Sequence, residues 1–168
     1  MSGTRQAHEP SGSAARVRAA LSRIGLAEAI VHFDRSTKTA AMAAEAMGCD
    51  LGQIAKSLVF VVDGRPVLAL VAGDRRGDAA AIAREAGGVS ASFADADTVR
   101  TATGYAIGGV SPFDLPEELL VLVDESLGRF EIVYPAAGTP SSMVPMSFRQ
   151  LLEVSRGRVA RVGEEPLR

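Results

Sequence analysis

A pair of apolar segments joined by a two-residue turn limits the possible folds more than any other part of this sequence. Residues 57–62 and 66–72 are almost continuously apolar, and Asp63-Gly64 between them is a favoured sequence for a tight hairpin turn. This pattern predicts two antiparallel strands. Because neither strand alternates polar with apolar residues, we expect both faces of both strands to be covered by other parts of the chain.

Around this hairpin, capping residues and glycine breaks predict short helices and strands. Strand pairs interspersed with single helices, rather than strict alternation, predict a mixed α/β domain and argue against a Rossmann sheet. Residues 1–12 are predicted to be a disordered tail and 13–168 a single domain. The predicted helices are one that is capped by Ser13 and ends at Gly25, one turn at 50–55, and segments 40–47, 79–86, 97–103 and 148–154, three of them capped by Thr39, Asp78 and Ser147. The other predicted strands are 29–33 with a packed His32, 89–93, 119–123, its antiparallel partner 130–134, and an edge strand at 159–162.

Charge and composition exclude several kinds of site. The net charge is −2 and the sequence pI is about 5.7, so any nucleic-acid partner must be held at a local site rather than by a general positive field. Two histidines, His8 and His32, and the single Cys49 cannot assemble a His/Cys metal site, and we expect no metal. His32 is also the only candidate base for a Ser-His-Asp triad.

The same composition predicts where the protein is found. A lone cysteine fits a reducing compartment. The polar N-terminus is unlike a signal peptide, and no apolar stretch is long enough to span a membrane. We therefore expect a cytoplasmic protein without a membrane partner.

Two sequence features could carry chemistry. In 108–113, two glycines precede a stiff Ser-Pro pair, and the free amides of such a loop can form an anion site or an oxyanion hole, although the spacing alone favours an ordinary turn. The second feature is Lys56, at the entrance of a buried strand. Only Lys38 and Lys56 are lysines among the 18 basic residues. Lys56 could hold a phosphate or polarise a carbonyl, or simply extend its charge into solvent.

Six segments in order carry a family resemblance: AAEAMG, QIAKSLVF, VLALVAGD, TGYAIGGVSPF, VLVDESL and YPAAGTP. Residues 39–138 resemble the YbaK/EbsC family of aminoacyl-tRNA deacylases, which is related to the editing insertion domain of bacterial prolyl-tRNA synthetase. The resemblance implies a mixed, largely antiparallel sheet flanked by short helices. It also implies hydrolysis of the ester that joins a wrong amino acid to the terminal adenosine of a tRNA, without a cofactor. The implied partners are tRNA and, as a second candidate, an aminoacyl-tRNA synthetase.

The resemblance also implies residue roles. Lys56 matches the family lysine that engages the phosphate and substrate end, and Gly108 to Pro112 match a GxxxP loop whose backbone positions the aminoacyl group and a water. The substrate's own ribose hydroxyl is expected to assist the attack. The candidate catalytic residues are thus Lys56, Gly108, Gly109, Ser111 and Pro112, and the candidate substrate-binding residues are Thr39, Val110, Asp124 and Gly138. Thr39 also has a sufficient role as a helix cap, Asp124 as a turn residue and Ser111 within its own loop.

Two departures from the family pattern bear on the substrate. Relatives that act on cysteinyl-tRNA have a serine and a carboxylate where this chain has Ala136 and Met143. The departure weakens a cysteine-specific interpretation and leaves alanine, serine and threonine open. Two other interpretations remain: a non-catalytic module that grips an acceptor end or a synthetase, which the acidic pI favours, and a hydrolase of another small ester.

Overall fold

The sheet is built on the predicted hairpin. The computed structural model describes residues 12–165, and in it two long strands pair antiparallel from Ala55 opposite Ala72 to Val62 opposite Arg65. Asp63 and Gly64 have φ values of 48° and 84°, as a tight turn between twisted strands requires. The described strands are β1 (Val31–His32), β2 (Ile54–Val62), β3 (Arg65–Ala72), β4 (Arg76–Gly77), β5 (Ala91–Phe93), β6 (Leu120–Asp124), β7 (Tyr134–Pro135), β8 (Ser142–Met143), β9 (Arg158–Ala160) and β10 (Gly163–Glu164).

The sheet is mixed, as predicted. Its main order is β5-β2-β3-β6-β9, and β7 pairs with β2. Pairing is antiparallel across β5, β2 and β3 and parallel from β3 to β6 to β9 and from β2 to β7. The prediction that 130–134 is the antiparallel partner of 119–123 is wrong. β6 lies between β3 and β9, while the chain after the 3₁₀ turn Glu125–Arg129 runs on to β2.

Both faces of the hairpin are covered, which confirms the expectation from its unbroken apolar pattern. Alternate residues of β3 are buried in two separate cores, with Leu68 and Leu70 on one face and Val67 and Ala69 on the other. The helices that supply the cover are α1 (Gly12–Ser22), α2 (Ala40–Met47), α3 (Ala79–Glu85), α4 (Ala96–Thr103) and α5 (Phe148–Ser155).

Most helix ends follow the local signals. Thr39 accepts a hydrogen bond from the Met42 amide at 3.2 Å, and Gly48 ends α2 with φ of 67°. Asp78 and Ser147 cap α3 and α5 as predicted. The predicted tail lies almost wholly outside the described residues.

Several local predictions differ from the structure, mostly in where an element begins or ends. Helix α1 already includes Ser13, because it begins at Gly12. Residues 29–33 contain only the two-residue strand β1, because only Val31 and His32 pair with β8, and His32 is exposed rather than packed. The predicted turn at 50–55 is a 3₁₀ turn at Leu51–Gln53, and Ile54 already belongs to β2. No helix among residues 12–165 is long and apolar enough to cross a membrane.

Candidate functional site

The site lies where one edge of β2 lacks a strand partner. β3 pairs with β2 along its other edge, whereas β7 pairs only with Ile54 and Ala55 and β5 only with Phe60 to Val62. A cavity of about 680 Å³ opens at the intervening residues. Its wall comes from β2, the start of α2, the loop around Gly108 and residues 134, 136 and 143. A volume of this size is typical of small-molecule sites.

Lys56 and Gly108 both line this cavity, although they are far apart in sequence. The side chain of Lys56 is half-buried, and its Nζ donates a hydrogen bond to the carbonyl oxygen of Arg75. Burial lowers the pKa of Lys56, and the nearby Asp74 carboxylate opposes that shift. An ammonium carries three donors, so two remain for a ligand.

Asp74 is itself fixed by Arg129. The two guanidinium nitrogens Nη2 and Nη1 of Arg129 donate to the Asp74 carboxylate at 2.7 and 3.1 Å. This hydrogen bonding is the main reason that the pKa of Asp74 lies below its usual value. A fixed negative charge therefore stands near Lys56 and favours its protonated form.

In the glycine loop, the two glycines have different roles. Gly108 has φ of 86°, and its amide forms no hydrogen bond within residues 12–165. The amide of Gly109 donates to the Ala106 carbonyl at 3.0 Å, so it is unavailable to a ligand, and Gly109 does not have positive φ. The amides of Val110 and Ser111 likewise have no partner in that part of the chain. Of the two glycines, only Gly108 thus combines a conformation that needs glycine with a free donor.

The ends of this loop are held by helix α1. The Arg16 guanidinium donates to the carbonyl oxygens of Gly104 and Asp114 at 3.4 and 2.6 Å and to the Asp114 carboxylate at 3.0 Å. It also lies 4.6 Å above the Tyr105 ring. The Tyr105 hydroxyl donates to the carbonyl of Phe113 at 2.5 Å, and burial raises the pKa of Tyr105 to about 12. Arg16 could not be recognised from the sequence, because no local pattern marks a contact between residues that are about 90 to 100 positions apart.

Three predicted site residues support the loop from behind and are absent from the cavity wall. Ser111 is fully buried, and its Oγ accepts a hydrogen bond from the Gly138 amide at 2.6 Å. Gly138 has φ of 95°, and a Cβ there would lie 2.9 Å from Ser13 O and from Val17 Cγ2. Pro112 is also buried. Their positions indicate a structural role, which differs from the predicted catalytic or substrate contact.

Asp124 also lies outside the cavity, contrary to its predicted contact with substrate. It is 2% exposed at the end of β6. Its carboxylate accepts hydrogen bonds from the amides of Val162 and Gly163 at 2.8 and 2.6 Å, and from the amide and hydroxyl of Ser126. These four donors indicate that Asp124 joins β6 to the C-terminal segment.

We expect Asp124→Asn to destabilise the fold without altering the chemistry of the site. An amide places its own NH₂ against one of these donors, and a buried group left unsatisfied costs about 1–3 kcal/mol. Thermal unfolding should report the loss, while the folded variant should retain the parent's rate in the hydrolysis that the family resemblance implies. A folded Asp124→Asn protein of unchanged stability with reduced turnover would restore the substrate role.

Other residues in the cavity wall include predicted and unpredicted positions. Thr39 and Val110, both candidate substrate-binding residues, line it, and Thr39 is at the same time the cap of α2. Lys38 lines it too, so both lysines of the chain border the same cavity. The composition had already singled out both lysines, which was the available signal for Lys38.

Ser57 was missed by sequence reasoning. It lines the cavity, and its Oγ is buried without a hydrogen-bond partner. No other buried side-chain nitrogen or oxygen within residues 12–165 lacks a partner. A buried hydroxyl without a partner is costly unless a ligand or water satisfies it, which makes Ser57 a candidate contact for substrate.

The two departures from the family pattern also meet at the cavity. Ala136 and Met143 form an isolated antiparallel bridge, and both line the wall. The described lining residues include no histidine, aspartate or glutamate. In the described part of the chain, no group of three or more His, Cys, Asp or Glu side chains is arranged to hold a metal ion.

Comparisons with known proteins agree on one family. The profile of the aminoacyl-tRNA editing domain matches residues 34–154. The chain is similar to YwhH of Bacillus subtilis (strain 168), an uncharacterised protein, with 37% identity over 131 residues that cover 77% of this chain and 83% of YwhH. It is also similar to the multifunctional Ser/Thr-tRNA deacylase ProXp-y of Escherichia coli (strain K12), with 32% identity over 146 residues, 84% of this chain and 87% of that protein.

A solved structure gives the same result. A protein provisionally described as a trans-editing enzyme for prolyl tRNA synthetase has a TM-score of 0.82 at 38% identity, over 92% of this chain and 99% of that one. The fold is thus that of an editing domain. The chain belongs to the aminoacyl-tRNA editing domain family. The resemblance drawn from six sequence segments is thereby confirmed.

Proposed function

We propose that this protein is a trans-editing hydrolase that cleaves the ester between a small amino acid and the terminal adenosine of a misacylated tRNA. The observation that carries the proposal is that Lys56 and Gly108, from distant parts of the chain, line one cavity. The fidelity problem that such an enzyme solves is physical. An extra methylene is worth only about 1–3 kcal/mol in a synthetase pocket, so small amino acids are mischarged and need a second sieve.

In this proposal, Lys56 binds a phosphate of the tRNA end. The substrate's α-amino group can be cationic and would be repelled by an ammonium, whereas a phosphate is attracted. A charge-assisted hydrogen bond of this kind contributes about 1.5–3 kcal/mol. Lys38 is exposed at the same cavity and provides a second cation for the phosphates of the tRNA end.

The free amides at Gly108 and Val110 are proposed to stabilise the oxyanion that develops on the ester carbonyl. Water adds to that carbonyl and the ester C–O bond breaks, which releases the amino acid and restores the ribose hydroxyl. The described cavity wall offers no carboxylate or imidazole as a general base. The neighbouring ribose hydroxyl of the substrate is therefore proposed to assist the attack, with the loop holding the reactants in place.

For the amino acid, we propose serine and threonine first and alanine second. The unpaired Ser57 hydroxyl can bond the hydroxyl of serine or threonine, and Ala136 and Met143 present an apolar wall where relatives specific for cysteine differ. The Escherichia coli relative is named a Ser/Thr-tRNA deacylase. The site works without metal or organic cofactor in this proposal.

We further propose that 13–168 acts as one domain in the cytoplasm and docks on a synthetase. The net charge of −2 gives little intrinsic attraction for tRNA, so a partner that holds the tRNA would raise the local concentration of substrate.

A panel of mischarged tRNAs tests the function. We expect release of serine, threonine and, more slowly, alanine, while cognate prolyl-tRNA is spared, and we expect a higher rate when the synthetase is added. The measurement is the loss of acid-precipitable labelled amino acid over time. Binding of these tRNAs without release from any of them would favour the non-catalytic module instead.

A further inference from the structure

Phe93 is an exposed aromatic ring held in a fixed position at the cavity. It is 68% exposed, yet it stacks on Phe60, with ring centroids 4.5 Å apart and an interplanar angle of 28°. Phe60 is 1% exposed and anchored in β2. One face of the Phe93 ring is therefore covered by the protein, and the other is open to a ligand.

The position of Phe93 relates it to Lys56. Phe93 pairs with Phe60, and Lys56 and Leu58 share the face of β2 that carries Phe60, because side chains alternate along a strand. Lys56, Leu58 and Phe93 all line the cavity. Phe60 is four steps of ~3.3 Å along β2 from Lys56, which places the aromatic pair about 13 Å along the strand from the lysine.

We propose that Phe93 is a stacking platform for a nucleobase of the unpaired tRNA 3′ end, most directly the terminal adenine. The inference rests on the proposed function, since it takes the tRNA end as the ligand of the cavity. Unpaired bases are bound in proteins by stacking on aromatic side chains next to cations that hold the phosphates. The exposed Ile107, 58% accessible in the glycine loop, also lines the cavity and adds apolar surface for the base.

The competing explanation is that Phe93 only shields Phe60. Phe93→Leu distinguishes the two explanations, because leucine still covers Phe60 but offers no flat π-face to a base. Phe93→Tyr keeps both the cover and the π-face. Val159→Ala is a matched control, because Val159 is 45% exposed on the opposite edge strand, β9, and is absent from the cavity wall.

The test compares the binding of two acceptor-stem RNA hairpins that carry no amino acid. One has its natural 3′ adenosine and the other an abasic 3′ nucleotide, and fluorescence anisotropy measures the affinity of each. For the parent, Phe93→Tyr and Val159→Ala, we expect the adenosine hairpin to bind about tenfold more tightly than the abasic one, a typical effect of one stacked base. For Phe93→Leu we expect equal binding of both. Thermal unfolding of each variant verifies its fold.

The stacking role of Phe93 would be overturned if the parent protein bound both hairpins equally or bound neither. It would also be overturned if Phe93→Leu preferred the adenosine hairpin as the parent does, or lost affinity equally for both hairpins. Because these hairpins carry no amino acid, the result is independent of hydrolysis. The parent could prefer the adenosine hairpin, and lose that preference in Phe93→Leu, and yet show no deacylase activity. That combination would contradict the proposed function but support the stacking role of Phe93.

Discussion

Replacing Gly108 by alanine is expected to reduce deacylation about 10²-fold, the usual effect of losing one oxyanion donor. The φ of Gly108 is 86°, a conformation that costs an L-residue about 1–2 kcal/mol. The added Cβ would lie 3.5 Å from Lys38 Cβ, which is ordinary contact, so strain rather than collision drives the change. The loop can relieve that strain only by rotating its backbone, which displaces the free amides.

Gly109→Ala is the matched control. Its Cβ would meet Pro140 and Thr139 at 3.6 Å, its φ is not positive, and its amide is already bonded to Ala106. We expect near-parental activity from this variant. Single-turnover release of amino acid from mischarged tRNA, with thermal unfolding as the check on folding, compares the two. Equal losses from both substitutions would contradict the assignment of the free amide at Gly108.

Lys56→Ala is expected to reduce deacylation at least tenfold while leaving the fold intact. The loss corresponds to one charge-assisted hydrogen bond to phosphate, worth about 1.5–3 kcal/mol. Because Lys56 is half-buried, its methylenes also pack against the protein, and Lys56→Met retains that packing while removing the charge.

Both Lys56 variants should therefore lose activity to a similar degree in single-turnover assays at saturating and limiting enzyme. If Lys56→Met keeps parental turnover, the packing of the side chain and not its charge is what matters. Undiminished turnover in a folded Lys56→Ala protein would refute the role of the lysine altogether.

Much of the candidate site could be predicted because its signals were local or compositional. Lys56 stood out as one of two lysines among arginines, and the Gly-Gly-x-Ser-Pro loop as backbone chemistry. Ser57 could not be distinguished in the same way. Its hydroxyl is removed from water, and left without a hydrogen-bond partner, only once distant parts of the chain have packed around β2.

Local sequence was enough to predict the hairpin, the caps of α2, α3 and α5, and the glycine turns, because each depends on the conformational preferences of a few consecutive residues. Three features depend on the folded chain as a whole: the parallel pairing of β6, the Arg16 contacts that hold the glycine loop, and the burial of Asp124 against Val162 and Gly163. These features join residues that are distant in the chain. Their free energy comes from surface removed from water and from hydrogen bonds made only after the chain has folded, and no local pattern records which distant partners will meet.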